Sequence, residues 1–171
     1  MNTLILSSSL SKNSRSFLVC KNVQKELKRQ GVKCKLIDAR EMKIQPYHLG
    51  ITKEMEYLTK IINKTDNIII GMGVHCYSIN DSLKILLDNC FEGATNKFFG
   101  ILCAAGGDRS YLSTMHLTQI CMNEWRMIQL PRVIYVTGKD FTNDVITSDE
   151  VLERIKIFCT EFNNIGKKLI S

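Results

Sequence analysis

Short apolar segments alternate with segments of helical spacing along the whole chain, and this alternation limits the possible folds more than any other feature. The predicted strands are residues 3–6, 33–37, 67–72, 98–104 and 133–136. After each of the five strands, apolar residues recur every three or four positions, as in the series Phe17, Cys20, Val23 and Leu27. Strict alternation of strands and helices predicts a parallel sheet that helices cover on both faces. The expected architecture is therefore three-layer α/β/α with a five-stranded parallel sheet.

The composition is that of one globular domain spanning residues 1–171, with 44% hydrophobic and 23% charged residues. No stretch approaches the roughly 20 apolar residues of a membrane span, so we expect no membrane partner. Lysine and arginine outnumber aspartate and glutamate by 23 to 17, and the resulting net charge of +6 favours anionic ligands. Because the basic residues form no run of five and no stripe with aromatic residues, we expect no nucleic-acid partner.

Seven cysteines are scattered along the chain, without a C-x-x-C pair and without a histidine at zinc-finger spacing. We therefore predict no metal site. An odd, scattered set of cysteines is typical of a reducing compartment, and the N-terminal apolar run is too short for a secretory signal. We expect a cytoplasmic protein. His48 and His116 have no nearby set of ligands, so we expect them at the surface or at the edge of the core.

The first predicted strand ends in a serine-rich segment that opens a helix. A helix start offers unpaired backbone N–H groups and the positive end of the helix dipole, both of which attract anions. Ser9, Ser11, Ser14 and Ser16 add hydroxyl groups, and Arg15 adds a full positive charge. The segment contains no glycine, so it matches neither the dinucleotide fingerprint nor the nucleotide-triphosphate P-loop. It fits a cradle for one terminal phosphate, although a simple capped helix explains the same residues.

Two further loops follow the third and fourth predicted strands. In a parallel sheet, ligands bind beyond the carboxyl ends of the strands, where the strand order reverses. Residues 73–80 place an imidazole, a thiol and a phenol at the end of a buried strand, and residues 104–110 contain two adjacent glycines that permit close approach to a flat ligand. The candidate ring contacts are Val74, His75, Cys76, Tyr77, Ser78, Ala105, Gly106 and Gly107. One phosphate loop and two ring loops describe a site for flavin mononucleotide (FMN).

At these residues the chain resembles the NADPH-dependent FMN reductase family, and the resemblance extends over nearly the whole sequence. The residues that match family motifs are Ser9, Ser14-Arg15-Ser16, the segment 83–88 and the pair Gly106-Gly107. The chain departs from the family pattern at three positions: Ser8 stands where glycine is usual, Gly73 replaces proline and His75 replaces tyrosine. These departures concern the contacts around the flavin ring more than FMN binding itself.

The resemblance implies a flavodoxin-like sheet of order 2-1-3-4-5, FMN as cofactor and NAD(P)H as cosubstrate. It also implies an oxidoreductase that passes hydride through FMN to a small acceptor: a flavin, a quinone, an azo compound or a nitro compound. We name no catalytic side chain, because the cofactor carries the chemistry. Two alternatives stay open at this point, namely a flavodoxin-type electron carrier and a fold relative that binds another phosphorylated ligand.

A single domain of this kind leaves the edge of the flavin ring open to water, so we expect a homodimer or homotetramer that supplies a second wall. Phe91, Met122 and Trp125 are candidate apolar anchors of the subunit contact. Arg109 has two open interpretations, contact with the phosphates of the nicotinamide nucleotide or capping of its own turn. Thr147 and Glu150 have the spacing of a capping box and predict the start of the last helix.

Overall fold

A computed structural model describes residues 1–170. The strands are β1 (Asn2–Ser7), β2 (Lys33–Asp38), β3 (Asn67–His75), β4 (Ser78–Ile79), β5 (Phe98–Ala104), β6 (Ile128–Gln129), β7 (Ile134–Val136), β8 (Phe141–Thr142) and β9 (Val145–Ile146). The α-helices are α1 (Arg15–Arg29), α2 (Lys53–Lys64), α3 (Asp81–Cys90), α4 (Thr114–Trp125) and α5 (Asp149–Leu169). No helix within residues 1–170 is long and apolar enough to cross a membrane.

The main sheet is parallel in the order β2-β1-β3-β5, and both β6 and β7 pair with β5 at the far edge. The predicted α/β/α architecture and strand order are therefore confirmed. The fifth position is not one strand but two short ones. β6 pairs with Phe98 and Phe99, and β7 pairs with residues 102–104. Pro131 lies between them, and it cannot donate a backbone hydrogen bond to the ladder.

Helices pack on both faces of the sheet because the central strands are apolar on both faces. Leu4 and Leu6 of β1 point into a core with α2, α3 and α4, whereas Ile5 points into a second core with α1 and α5. In the second core, a side chain at Gly100 would place its Cβ 2.6 Å from the ring of Phe158. Glycine at this strand position therefore lets α5 pack close to the sheet.

The last helix begins one residue later than predicted. Ser148 is the N-cap of α5, and its Oγ accepts a hydrogen bond of 3.3 Å from the backbone N–H of Val151. The predicted capping box of Thr147 and Glu150 is therefore wrong. Thr147 still belongs to the hairpin of β8 and β9, because its N–H donates to the carbonyl of Asp140 at 2.9 Å. The hairpin holds Thr147 outside the helix, so the next hydroxyl takes the capping position.

Phe91 and Trp125 belong to the core of the chain itself. Both are buried, and their ring centroids lie 5.5 Å apart at the C-terminal ends of α3 and α4. The prediction that these two residues anchor a subunit contact is wrong, because both rings are buried in the core between the sheet and its helices. Met122 differs, since half of its surface is exposed.

Candidate functional site

The loops after β1 and β3 are joined by a buried amide. Asn80 immediately precedes α3, where an asparagine ordinarily caps the helix, but its side chain makes no capping bond here. Its Oδ1 accepts from the backbone N–H of Gly73 at 3.0 Å and from Ser8 Oγ at 3.1 Å. Its Nδ2 donates to the Ser8 carbonyl at 3.2 Å and to Ser82 Oγ at 2.7 Å. Every polar atom of this amide is used, so Asn80 fixes the serine loop (residues 8–14, between β1 and α1) relative to the segment after β3.

Arg40 holds the same serine loop from the other side. Its guanidinium pairs with both oxygens of Asp38, at 2.5 Å for the shortest contact, and lies 4.1 Å from the centroid of the Phe17 ring. Its Nη1 donates to the carbonyl of Lys12 at 3.0 Å. Hydrogen bonding to Asp38 raises the pKa of Arg40. Arg40 is therefore held in place by Asp38 and supports the loop at the carbonyl of Lys12.

Within the serine loop, the hydroxyl groups have different tasks. Ser14 Oγ accepts from the N–H of Phe17 at 3.1 Å, so Ser14 caps α1, and it lies 3.0 Å from Ser16 Oγ. Ser9 Oγ accepts from the N–H of Ser11 at 3.3 Å and remains partly exposed, as does the Ser11 side chain. The structure thus supports the capping interpretation for Ser14 and leaves the hydroxyls of Ser9 and Ser11 accessible from solvent.

Arg15 points toward the loop after β7. Its guanidinium lies 5.7 Å from the centroid of the Phe141 ring and close to Gly138, and it makes no hydrogen bond or ion pair within residues 1–170. The hydroxyl of Ser7, the last residue of β1, is buried and also has no partner among those residues. A free cation at the start of α1 and an unsatisfied buried hydroxyl at the end of β1 fit an anionic ligand.

The segment after β3 forms a tight hairpin rather than the predicted loop over residues 73–80. His75 pairs with Ser78, and Cys76 and Tyr77 form the two-residue turn with φ of +48° and +59°. Two successive left-handed residues are typical of a type I′ turn, which strongly favours asparagine and glycine. A residue with a Cβ in this conformation costs roughly 1–2 kcal/mol. The hairpin therefore stores strain beside the candidate site, where strained backbone is most often found.

A hydroxyl from β7 fixes the loop after β5. Tyr135 Oη donates to the carbonyl of Gly107 at 2.5 Å, and the Tyr135 ring meets the edge of Tyr111 with centroids 5.2 Å apart. A Cβ built on Gly106 or Gly107 would meet nothing within 4 Å. The N–H groups of both glycines donate to no acceptor within residues 1–170. The glycine pair therefore exposes its backbone to the cleft, and its two N–H groups are available to hydrogen-bond a ligand.

A cleft of about 550 Å³ separates the β3–β4 hairpin from this glycine loop. The residues that line it are Val74, Cys76, Tyr77, Gly106, Gly107, Asp108, Arg109 and Ser110. Five of the predicted ring contacts therefore meet around one cleft. Three do not line it: Ala105 is buried, the His75 ring lies 3.5 Å from the Asp81 carboxylate, and Ser78 Oγ bonds to His116 Nδ1 at 3.0 Å.

Most of the chain matches one known protein family. The family model described as NADPH-dependent FMN reductase matches residues 1–142. The chain belongs to this family. It is an oxidoreductase with FMN as its cofactor and NAD(P)H as its cosubstrate. A search of curated protein sequences found no match.

The reductase also shares its fold with solved flavoproteins. The apo form of an NADH:FMN oxidoreductase aligns with a TM-score of 0.81 at 14% identity, covering 96% of this chain and 89% of the other. The NAD(P)H:acceptor oxidoreductase FerB from Paracoccus denitrificans aligns with a TM-score of 0.79 at 15% identity, covering 98% and 97%. An archaeal flavodoxin aligns over the full length of both chains with a TM-score of 0.68 at 12% identity. The fold is therefore flavodoxin-like.

The residues of the reductase fit FMN at both ends of that molecule. The free Arg15 guanidinium and the partnerless Ser7 hydroxyl suit a phosphate, and the bare Gly106-Gly107 backbone leaves room for a flat ring against free N–H donors. No group of three or more potential metal-ligating side chains comes together within residues 1–170.

We expect Cys76 to be the fastest-reacting of the seven thiols, because the other six cysteines are buried or half-buried. Burial raises the pKa of Cys90 to about 11 and those of Cys103 and Cys121 to about 12, and it also raises the pKa values of Cys20 and Cys159. Cys34 is half-buried with a raised pKa, whereas Cys76 is exposed. Iodoacetamide followed by peptide mass mapping should modify Cys76 about tenfold faster than any other cysteine.

The control for this measurement is Cys76→Ser, which should leave no rapidly modified thiol in the folded protein. FMN should slow the modification of Cys76 if the ring occupies the cleft. Rapid modification of Cys103 or Cys121 in the native protein would contradict the packing described above.

Proposed function

We propose that the reductase transfers two electrons from NAD(P)H to a flavin, quinone, azo or nitro acceptor, with FMN bound between the serine loop and the cleft. The observation that carries this proposal is that the loops after β1, β3 and β5 lie together at the carboxyl ends of the parallel strands. Asn80 ties the serine loop to the β3 hairpin, and that hairpin faces the glycine pair across one cleft. For a quinone, NAD(P)H and one proton from solvent yield NAD(P)⁺ and the hydroquinone, so atoms and electrons balance.

Different parts of the chain hold different parts of the cofactor in this proposal. Arg15, the start of α1 and the hydroxyls of Ser9, Ser11 and Ser16 bind the phosphate, while Ser14 shapes the helix start. Val74, Cys76 and Tyr77 border one side of the ring, with His75 and Ser78 supporting the hairpin. Gly106 and Gly107 border the other side, and their backbone N–H groups stabilise negative charge on the ring. Ala105 supports this loop from behind, because its N–H donates to the carbonyl of Val136 at 2.9 Å. FMN supplies the redox chemistry when bound, and no side chain acts as a general acid or base.

We also propose that residues 1–171 form a single FMN-binding domain that works as a homodimer or homotetramer. Hydride transfer requires reacting atoms about 3–3.5 Å apart in a site shielded from water, yet the cleft is open. Exposed apolar side chains follow the glycine loop, before and along α4, namely Tyr111, Leu112, Met115 and Met122. These residues are better anchors for a second subunit than the buried Phe91. The free state of all seven cysteines supports a cytoplasmic location.

The proposed function predicts a yellow protein whose NAD(P)H oxidation depends on FMN. FMN added to the stripped protein should lose its fluorescence, and FAD should bind no better. Oxidation of NADH and NADPH is then followed by absorbance, with and without a quinone acceptor. Quinone-dependent turnover is the expected result. FMN binding without turnover would identify an electron carrier instead, and failure to bind FMN would contradict the proposal altogether.

A further inference from the structure

Arg109 brings an uncompensated positive charge to the cleft. It is exposed and makes no hydrogen bond, ion pair or ring contact within residues 1–170. The neighbouring carboxylate does not neutralise it, because Asp108 pairs with Lys139 at 2.9 Å. Asp108 is also the one acidic residue among those that line the cleft. An arginine in this position is free to bind an anion with two parallel N–H donors.

Tyr77 brings an aromatic surface to the same cleft. Its side chain is 63% exposed, and it makes no hydrogen bond or ring contact within the described part of the chain. The type I′ turn holds Tyr77 at the rim although asparagine or glycine would fit that turn without strain. The chain thus keeps a flat ring without internal partners where a smaller residue would be more stable, and this ring can contact an acceptor next to the flavin.

We propose that the acceptor is a flat aromatic compound that carries an anionic group. Arg109 binds the anionic group and Tyr77 contacts the aromatic ring. This inference rests on the proposed function and narrows its acceptor class. Both side chains line the same cleft, so one ligand that carries a ring and an anionic group can contact both of them. An aromatic sulfonate or carboxylate combines the two groups in one small molecule. The net charge of +6 adds long-range attraction for such acceptors.

The test compares two quinones that differ in charge, 1,4-naphthoquinone and 1,4-naphthoquinone-2-sulfonate, with the FMN-loaded protein. Arg109→Gln should lower kcat/KM for the sulfonate by about tenfold or more and change kcat/KM for the neutral quinone by less than about twofold. Arg109→Lys should retain part of the preference, because it keeps the charge but not the planar donors. Tyr77→Ala should raise KM for both quinones.

Arg126→Gln is the matched control, since it removes the same charge from an exposed arginine. Arg126 follows the C-terminal end of α4, and a 12-residue helix is about 18 Å long. This variant should keep the wild-type ratio between the two quinones. A ratio unchanged by Arg109→Gln, or lowered equally by Arg126→Gln, would overturn the inference. A rise in KM for NADPH with an unchanged quinone ratio would assign Arg109 to the nucleotide and would also overturn it.

A binding measurement separates failure of this inference from failure of the proposed function. Naphthalene-2-sulfonate cannot accept hydride, and its binding to the wild-type protein and to Arg109→Gln can be followed by NMR. Weaker binding to the variant supports the inference even if neither quinone is reduced, a result that would contradict the proposed function alone. Equal binding to both proteins overturns the inference whatever the turnover.

Discussion

Truncation of Phe91 to alanine is expected to lower the free energy of unfolding by about 3–5 kcal/mol, the usual loss for a buried phenylalanine. The ring is fully buried and packs against Trp125 where α3 and α4 end, so its removal leaves a cavity that a well-packed core closes only in part. Urea denaturation measures the change, and light scattering of the same samples reports the mass of the assembly.

Met122→Ala is the matched control, because Met122 is an exposed apolar residue of α4. It should change the unfolding free energy by no more than about 0.5 kcal/mol and should weaken association if this face of α4 contacts a second subunit. If instead Phe91→Ala dissociates the assembly without destabilising the fold, the ring belongs to an interface and the core assignment is wrong. A mass near 19.5 kDa for the active wild-type protein would contradict the proposed oligomer.

Arg15→Ala is expected to weaken FMN binding by about 1.5–3 kcal/mol, the range for a charged hydrogen bond, or about 10- to 150-fold in Kd. Arg15 has no polar partner within residues 1–170, so its loss disturbs no internal ion pair. Titration of flavin fluorescence measures the affinity. Riboflavin lacks the phosphate and should bind wild type and variant equally.

Arg29→Ala is the control for the loss of charge, since Arg29 lies at the opposite end of α1 and pairs with Glu26. It should change FMN affinity only slightly. Equal losses for FMN and riboflavin in Arg15→Ala would show that the guanidinium supports the loop against Phe141 rather than binding phosphate.

The layers were predictable because burial on both faces leaves a strong pattern in the sequence, whereas the strand order came from the family resemblance. Residues 67–72 are apolar without interruption, and only a central strand buries both of its faces in this way. The short elements were not predictable. The β3–β4 hairpin turns at Cys76 and Tyr77, which give no turn signal, because tertiary packing overrides their local preference.

Topology predicted the location of the candidate site, whereas the residues that support its loops did not show in the sequence. Asn80 contacts Ser8 across 72 positions, and Arg40 contacts Lys12 across 28. Tyr135 contacts Gly107 across 28 positions. No local spacing relates such partners, so an asparagine before a helix resembles an ordinary cap and a tyrosine in a strand resembles ordinary core. These contacts exist only once the sheet is assembled.

The two-piece fifth strand bears on how the protein behaves at high concentration. An exposed sheet edge with a continuous row of free N–H and carbonyl groups invites pairing with another molecule and, from there, aggregation. At one edge, Pro131 interrupts that row between β6 and β7. At the other edge, β2 carries Lys33 and Lys35, whose charges repel a second copy of the same strand. Both edges therefore discourage intermolecular strand pairing, so concentrated solutions of the folded protein should resist fibril formation.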